Sequence, residues 1–209
     1  MEEMNFGYIP SVMDGTEWVF GAPVDEPQIP EKYSFRKFLP SVINQGELSI
    51  CVPCSVSAYL NWRKNLETGE IKDNKVALMD IYEIRSNNTD GMSFKEALHY
   101  LRHNGVRSNE GILGINSYAM VKSMMSLKYA LIMNGPCLGA LPVYSDYCDF
   151  WNKKQGQRLM GYHAISICGY NEEGFIIRNS WGTGFCDKGY TFIPYEEFNK
   201  LLEVWTIID

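Results

Sequence analysis

A cysteine and a histidine far apart in this chain, Cys51 and His163, are residue types that can work together as a nucleophile and its base. A thiol attacks a carbonyl only as its thiolate. It therefore needs a base to take the proton, a group to hold that base, and donors for the oxyanion that forms. Cys51 stands where the loop Asn44-Gln45-Gly46-Glu47-Leu48-Ser49 gives way to Val52, Val56, Tyr59 and Leu60 at helical spacing. A helix that starts there aims its unpaired N–H groups and the positive end of its dipole at the sulfur. His163 opens a strand and Asn179 closes the next, with a turn at 171–174 between them. In such a hairpin an amide at 179 can accept the imidazole N–H and fix its tautomer.

Each of these residues has an ordinary reading when taken alone. A cysteine on an apolar helix usually packs in a core, a histidine at a strand start is usually a satisfied polar group, and Asn-Ser-Trp can be a plain turn. Only their joint arrangement favours chemistry. Cys54 is the rival nucleophile, but it lies almost a turn into the helix, where the dipole fades and the position faces the core. His99 and His103 share a helix face at metal-ligand spacing with no further ligand at a matching place, so no metal site is expected.

The elements that must position these groups follow from periodicity and punctuation. The first helix runs from Cys51 to about Lys64. A second, 75–85, has Asn74 as its candidate cap. A third opens on the capping box Ser93-x-x-Glu96 and stops at Gly105. A fourth, 124–134, ends at Gly135-Pro136. Beyond Pro136, strands are expected at 137–144, 163–170, 175–179, 189–193 and 204–208, with a short helix at 194–201. Helices first and strands second is an α+β order.

The 209 residues, 45% of them hydrophobic, suit one globular unit of two small lobes. The net charge of −6 offers nothing to phosphate backbones or anionic lipids, so neither nucleic acid nor membrane is an expected partner. No apolar run is long enough to span a bilayer, and the start, MEEMNFGYIP, lacks the apolar stretch of a secretory signal. The expected location is cytoplasmic, or packaged in a larger particle. Its six cysteines are accordingly expected as free thiols.

Several stretches together resemble the papain-like cysteine peptidase family, in its compact bacterial and viral branch. These are Asn44-Gln45-Gly46 followed by Cys51, Tyr162-His163-Ala164, and Arg178-Asn179-Ser180-Trp181-Gly182-Thr183-Gly184 with Gly189-Tyr190 after it. The resemblance covers roughly residues 29–209 and implies a two-lobe α+β fold, with a helical lobe at about 45–115 and a sheet lobe at about 116–209. The active-site cleft would lie between them. It further implies Cys51 as nucleophile, His163 as base and then acid, Asn179 as orienter, and Gln45 with the Cys51 N–H as oxyanion donors. Trp181 would shield the His–Asn bond. Gly91 would pair with the backbone of a peptide or protein substrate. Met92, Phe94, Ala140 and Tyr162 would line the pocket for the second residue before the scissile bond. No cofactor is implied.

The sequence departs from the family at Ser49-Ile50-Cys51-Val52, where Gly-Ser-Cys-Trp is usual, and Leu48 replaces a disulfide-forming cysteine. These changes leave every catalytic group in place and bear on cleft width. Residues 1–28, broken by Gly7, Pro10, Gly15, Gly21, Pro23 and Pro27, read as an extended segment that either crosses and gates the cleft or staples Trp18 and Phe20 to the sheet lobe. A papain-fold binding module and an acyl-transferring transpeptidase are the alternatives to an endopeptidase.

Overall fold

A computed structural model describes residues 7–23, 28–73, 75–85 and 90–209. The candidate cap Asn74 lies outside these. Helix α1, Cys51–Thr68, is the central element. Nearly every side chain of its first three turns, from Cys51 to Trp62, is buried, because sheet, tail and the other helices surround it. It runs a turn past the expected Lys64 and ends at Gly69, whose N–H bonds to the Asn65 carbonyl. Helix α2 is shorter than its apolar pattern suggested, Leu78–Tyr82. Helix α3, Phe94–His103, carries the complete capping box: Ser93 Oγ accepts from the Glu96 N–H, and the Glu96 carboxylate accepts from the Ser93 N–H. Helix α4, Met124–Asn134, is capped by Ser123.

Among the described residues, eight strands form one sheet. They are β1 (Val19–Phe20), β2 (Tyr33–Ser34), β5 (Ser117–Val121), β6 (Cys137–Val143), β7 (Gly161–Tyr170), β8 (Gly174–Arg178), β9 (Tyr190–Pro194) and β10 (Glu203–Ile208). The order β1-β5-β10-β6-β7-β8-β9 is antiparallel except where β1 joins β5 in parallel, and β2 pairs with β7. Strands β3 (Val106–Ser108) and β4 (Gly111–Leu113) make a separate hairpin after α3. Residues 195–200 form a 3-10 turn where a short helix was expected. Strand β6 is buried along its whole length, and His163 to Tyr170 of β7 are buried too; β7 and β6 meet the helical side through α1 and α4. This is a helical lobe packed on an antiparallel sheet lobe, the expected α+β architecture.

The expectation of six free thiols is corrected. Cys148 and Cys186, 38 residues apart, form a disulfide, while Cys51, Cys54, Cys137 and Cys168 are buried thiols. A cysteine count cannot say which two loops the fold brings together; here they are the loops before β7 and after β8.

Candidate active site

The site is built where the start of α1 meets β7 and the loop after β8. Ile50, at the N-cap of α1, has no side-chain oxygen to cap the first turn. The N–H groups of Cys51 and Val52 are left near the Cys51 sulfur and favour its ionised form. The Ala164 N–H from β7 and the Gly7 N–H from the N-terminal segment also reach the sulfur. Burial opposes all four and wins: the thiol is fully buried and its pKa is pushed up to about 12.

His163, also fully buried, sits one residue before Ala164 on β7. Its Nε2 lies 2.7 Å from Asn179 Oδ1. The same oxygen accepts the Ser180 N–H at 2.7 Å, and two donors on one atom fix which end of the amide is oxygen. Desolvation lowers the His163 pKa to about 4, against the Asn179 bond, which raises it. In this state the favoured pair is therefore a neutral thiol and a neutral imidazole.

An aromatic cage encloses the imidazole. Trp181 lies 4.8 Å from it between centroids and Phe150 5.9 Å, while Phe185 packs on Trp181 at 5.0 Å. Phe150 and Phe185 carried no signal in the sequence, since both stand in irregular loops.

Gln45 is held by a zipper between its own segment and the loop after β8. The Gln45 N–H donates to the Ser180 carbonyl at 2.8 Å, and the Gly182 N–H to the Ile43 carbonyl at 3.0 Å. The Gln45 side chain accepts from Ser180 Oγ at 2.5 Å and donates to the Leu48 carbonyl at 2.8 Å. Arg178, buried at the end of β8, anchors the approach to Gln45 by donating to the Pro40 and Ser41 carbonyls and to the Tyr190 hydroxyl. The Gln45 segment and the loop that carries Asn179 are thus fixed to each other.

The residues expected to meet substrate are engaged by the chain itself. Met92 donates its N–H to the Gly7 carbonyl at 2.9 Å, and its carbonyl accepts from the Ile9 N–H at 3.0 Å. Gly7 bridges to Tyr162, and Tyr8 to Met92. The buried Tyr8 ring packs on Phe94 at 5.2 Å. Ala140 is buried on β6 opposite Ala164, and Trp181 lies against His163 as described. Gly91 has φ +104, and a Cβ there would sit 2.7 Å from the Gly7 carbonyl oxygen. A Cβ at Gly7 would sit 2.1 Å from the Ser49 carbonyl oxygen. Glycines at both positions let the segment pass this close.

The segment continues along the molecule. Ser11 donates its N–H to the buried Glu203 carboxylate at 2.9 Å. Lys95 pairs with Asp14 at 3.0 Å and with Glu17 at 2.6 Å. Val19–Phe20 then joins the sheet, while the Trp18 side chain is 72% exposed. Residues 7–9 pass between Met92 and Tyr162, and residues 19–20 pair with β5, but the Trp18 side chain expected to staple the sheet lobe is largely exposed. Neither Cys54 nor the His99–His103 pair joins the site. Cys54 packs with Ile50 and Tyr82, and the two imidazoles stack on each other at 4.2 Å.

Comparison with known proteins agrees with this architecture. The family model described as papain family cysteine protease matches residues 79–201. Cathepsin B-like cysteine proteinase 3 of Caenorhabditis elegans is 32% identical over 89 residues, covering 37% of this chain and 23% of that one. Cysteine proteinase 3 of Entamoeba histolytica is 23% identical over 199 residues, covering 81% of this chain and 64% of that one. The chain therefore spans about a quarter of the first relative's length and just under two thirds of the second's. Among solved structures, xylellain, a cysteine protease from Xylella fastidiosa, superposes with a TM-score of 0.83 at 20% identity, over 99% of this chain and 96% of that one. Procathepsin L2 of Tenebrio molitor larval midgut superposes with a TM-score of 0.78 at 16% identity, over 99% of this chain and 78% of that one.

The fold is papain-like, and the chain belongs to the papain family of cysteine proteases. The matched stretch holds His163, Asn179 and Trp181 and begins after Cys51 and Gln45.

Proposed function

We propose that this chain is a cysteine endopeptidase that uses Cys51, His163 and Asn179, and that its own N-terminal segment keeps it latent. The observation that carries this is the convergence of separate stretches of chain on one buried point. The uncapped start of α1 brings the thiol, β7 brings the Ala164 N–H to that sulfur and carries the imidazole one residue earlier, and the loop after β8 brings an amide that holds the imidazole at 2.7 Å.

With the segment withdrawn, water and substrate reach the pair, the burial penalty on its charged forms falls, and thiolate with imidazolium becomes accessible. The thiolate attacks a peptide carbonyl. The Cys51 N–H and the Gln45 amide donate to the oxyanion, and the imidazolium protonates the leaving amine. Water, activated by the imidazole, then frees the acyl group. Met92, whose backbone now bonds to Gly7 and Ile9, would offer the same groups to a substrate, and Gly91 would leave room for the substrate backbone beside it.

The test is intact-mass labelling of the full chain at pH 7 with an epoxide that alkylates papain-type cysteines, before and after the segment is released by Gly7→Ala. A single adduct mapped to Cys51, formed faster in the variant and abolished by His163→Ala, is the expected result. No adduct on folded protein of either form would leave a papain-fold binding module as the reading.

A further inference from the structure

The two phenylalanines of the cage lie on different loops, and each lies next to a half of the disulfide. Phe150 follows Cys148 by two residues, in the irregular stretch between β6 and β7; Phe185 directly precedes Cys186, in the loop between β8 and β9. The rings reach each other at 6.3 Å and both lean on Trp181 at 5.0 Å. The second loop also holds an uncommon backbone: Cys186 has φ +42 and Lys188 φ +54, where side-chain-bearing residues are sterically disfavoured. Within the second loop, Asp187 and Tyr190 exchange backbone hydrogen bonds at 3.1 Å, and the Gly189 N–H donates to the Phe185 carbonyl at 2.6 Å. Thr191 Oγ1 donates to the Cys148 carbonyl at 3.0 Å, and Arg36 pairs with the exposed Asp187 at 2.5 Å.

We infer that the Cys148–Cys186 disulfide is a positioning element of the active site, holding Phe150 and Phe185 closed on Trp181 so that the His163–Asn179 bond stays dry and aligned. This rests on the peptidase reading above. The physical reason is that a cage of rings excludes water only while its walls touch. Among the described residues, the covalent tie between the loops that carry these two walls is this bond, and one loop has unfavourable backbone angles that relax if released. A loosened cage lets water compete for the Asn179 amide. The imidazole then loses the fixed tautomer that lets it act as base toward Cys51. Cys186 packs at the edge of the main hydrophobic cluster, to which Phe150 and Phe185 belong, and the fold need not be lost on reduction because most of that cluster comes from α1, α3, α4 and the strands.

The experiment compares the oxidised full chain with the same chain treated with a water-soluble phosphine. The phosphine donates two electrons to the S–S bond, each sulfur takes a proton from water, and the water oxygen ends on phosphorus. Iodoacetamide labelling of Cys51, mapped by peptide mass, is followed from pH 6 to 9 beside steady-state peptide hydrolysis. The tail covers Cys51 in both forms, so the shapes of the two pH profiles are compared, not only the rates. On reduction, the limb reporting the reactive thiolate is expected to move to higher pH. kcat is expected to fall roughly tenfold to a hundredfold with little change in KM, as for a misplaced catalytic group. The Cys148→Ser/Cys186→Ser double variant should match the reduced chain.

Phe150→Leu with the disulfide intact should shift the same limb, and it serves as the test if the double variant does not fold. Superimposable profiles and equal kcat in oxidised and reduced chains would overturn the inference while leaving the peptidase reading intact. No labelling of Cys51 at any pH, in the oxidised chain or in its Gly7→Ala variant, would overturn both.

Discussion

At Cys51 two effects of known sign oppose each other. Nearby N–H groups favour the thiolate, and burial favours the thiol. Burial dominates while residues 7–9 lie beside the sulfur, so the latency proposed above would be as much a matter of dielectric as of blocked access. His163 is tuned in the same direction, its imidazole kept neutral by desolvation. In a chain whose segment has been released, His163→Ala should lower kcat for peptide hydrolysis by about 10²–10⁴-fold, the usual worth of a general base. Asn179→Ala should cost roughly 10²-fold or more with KM nearly unchanged, because an imidazole without its acceptor samples the wrong tautomer. Steady-state kinetics on one peptide decides both. A loss under threefold at Asn179 would remove the orienting role.

Among the elements, the N-terminal segment and the third helix make separable predictions. The segment is held by close steric fit at Gly7 and by ion pairs at Lys95, and the fit should matter more. A Cβ at position 7 meets backbone, which cannot swing aside. The Lys95 partner Asp14 is exposed, where water and salt screen it, while the Glu17 carboxylate is largely covered. Gly7→Ala is therefore expected to raise peptide turnover of the full chain roughly tenfold or more, which needs only about 1.4 kcal/mol of lost latching. Lys95→Met should raise it less, and its effect should shrink as salt is added. Equal effects of the two substitutions would show that charge, not fit, holds the latch. In α3, Ser93→Ala removes the hydroxyl half of the capping box. It should cost about 1 kcal/mol. For a chain of this length that is a fall of about 2–4 °C in Tm, read by calorimetry.

Taken as one molecule, the chain couples stability to pH through its buried site. His163 is neutral in the fold down to about pH 4, whereas an unfolded chain binds a proton there already below about 6.5. The unfolded state thus takes up more protons between those values, and stability falls as pH drops through that window. Cys51 keeps its proton up to about pH 12 when folded and releases it near 9 when unfolded, so stability falls again as pH rises beyond 9. Denaturant midpoints should be flat between about pH 6.5 and 9 and lower on both sides. In His163→Gln the acid-side fall should be much weaker, and an unchanged acid limb would assign that loss to other groups.

The local elements were legible where the chain carries its own instructions. Apolar spacing announced α1. Ser93 and Glu96 announced the start of α3, and Gly135-Pro136 the end of α4. The motif around Asn179 placed a loop after β8, and the family model matches that region. These signals are short-range, set by helix periodicity, capping hydrogen bonds and the backbone limits of glycine and proline.

Other features required the folded chain. Strands β1, β2 and β5 and the β3–β4 hairpin were not expected, because strands this short depend on partners that sequence does not name. The contact of Phe150 and Phe185 with Trp181, the pairing of Cys148 with Cys186, and the passage of Gly7 and Tyr8 between Cys51, Met92 and Tyr162 are all meetings of distant segments. Residue types and spacing determined which chemistry this chain is equipped for. Only tertiary packing decided that the thiol and imidazole are buried and neutral under the chain's own N-terminal segment, because a pKa and a contact depend on what surrounds a group in space, and not on its neighbours in sequence.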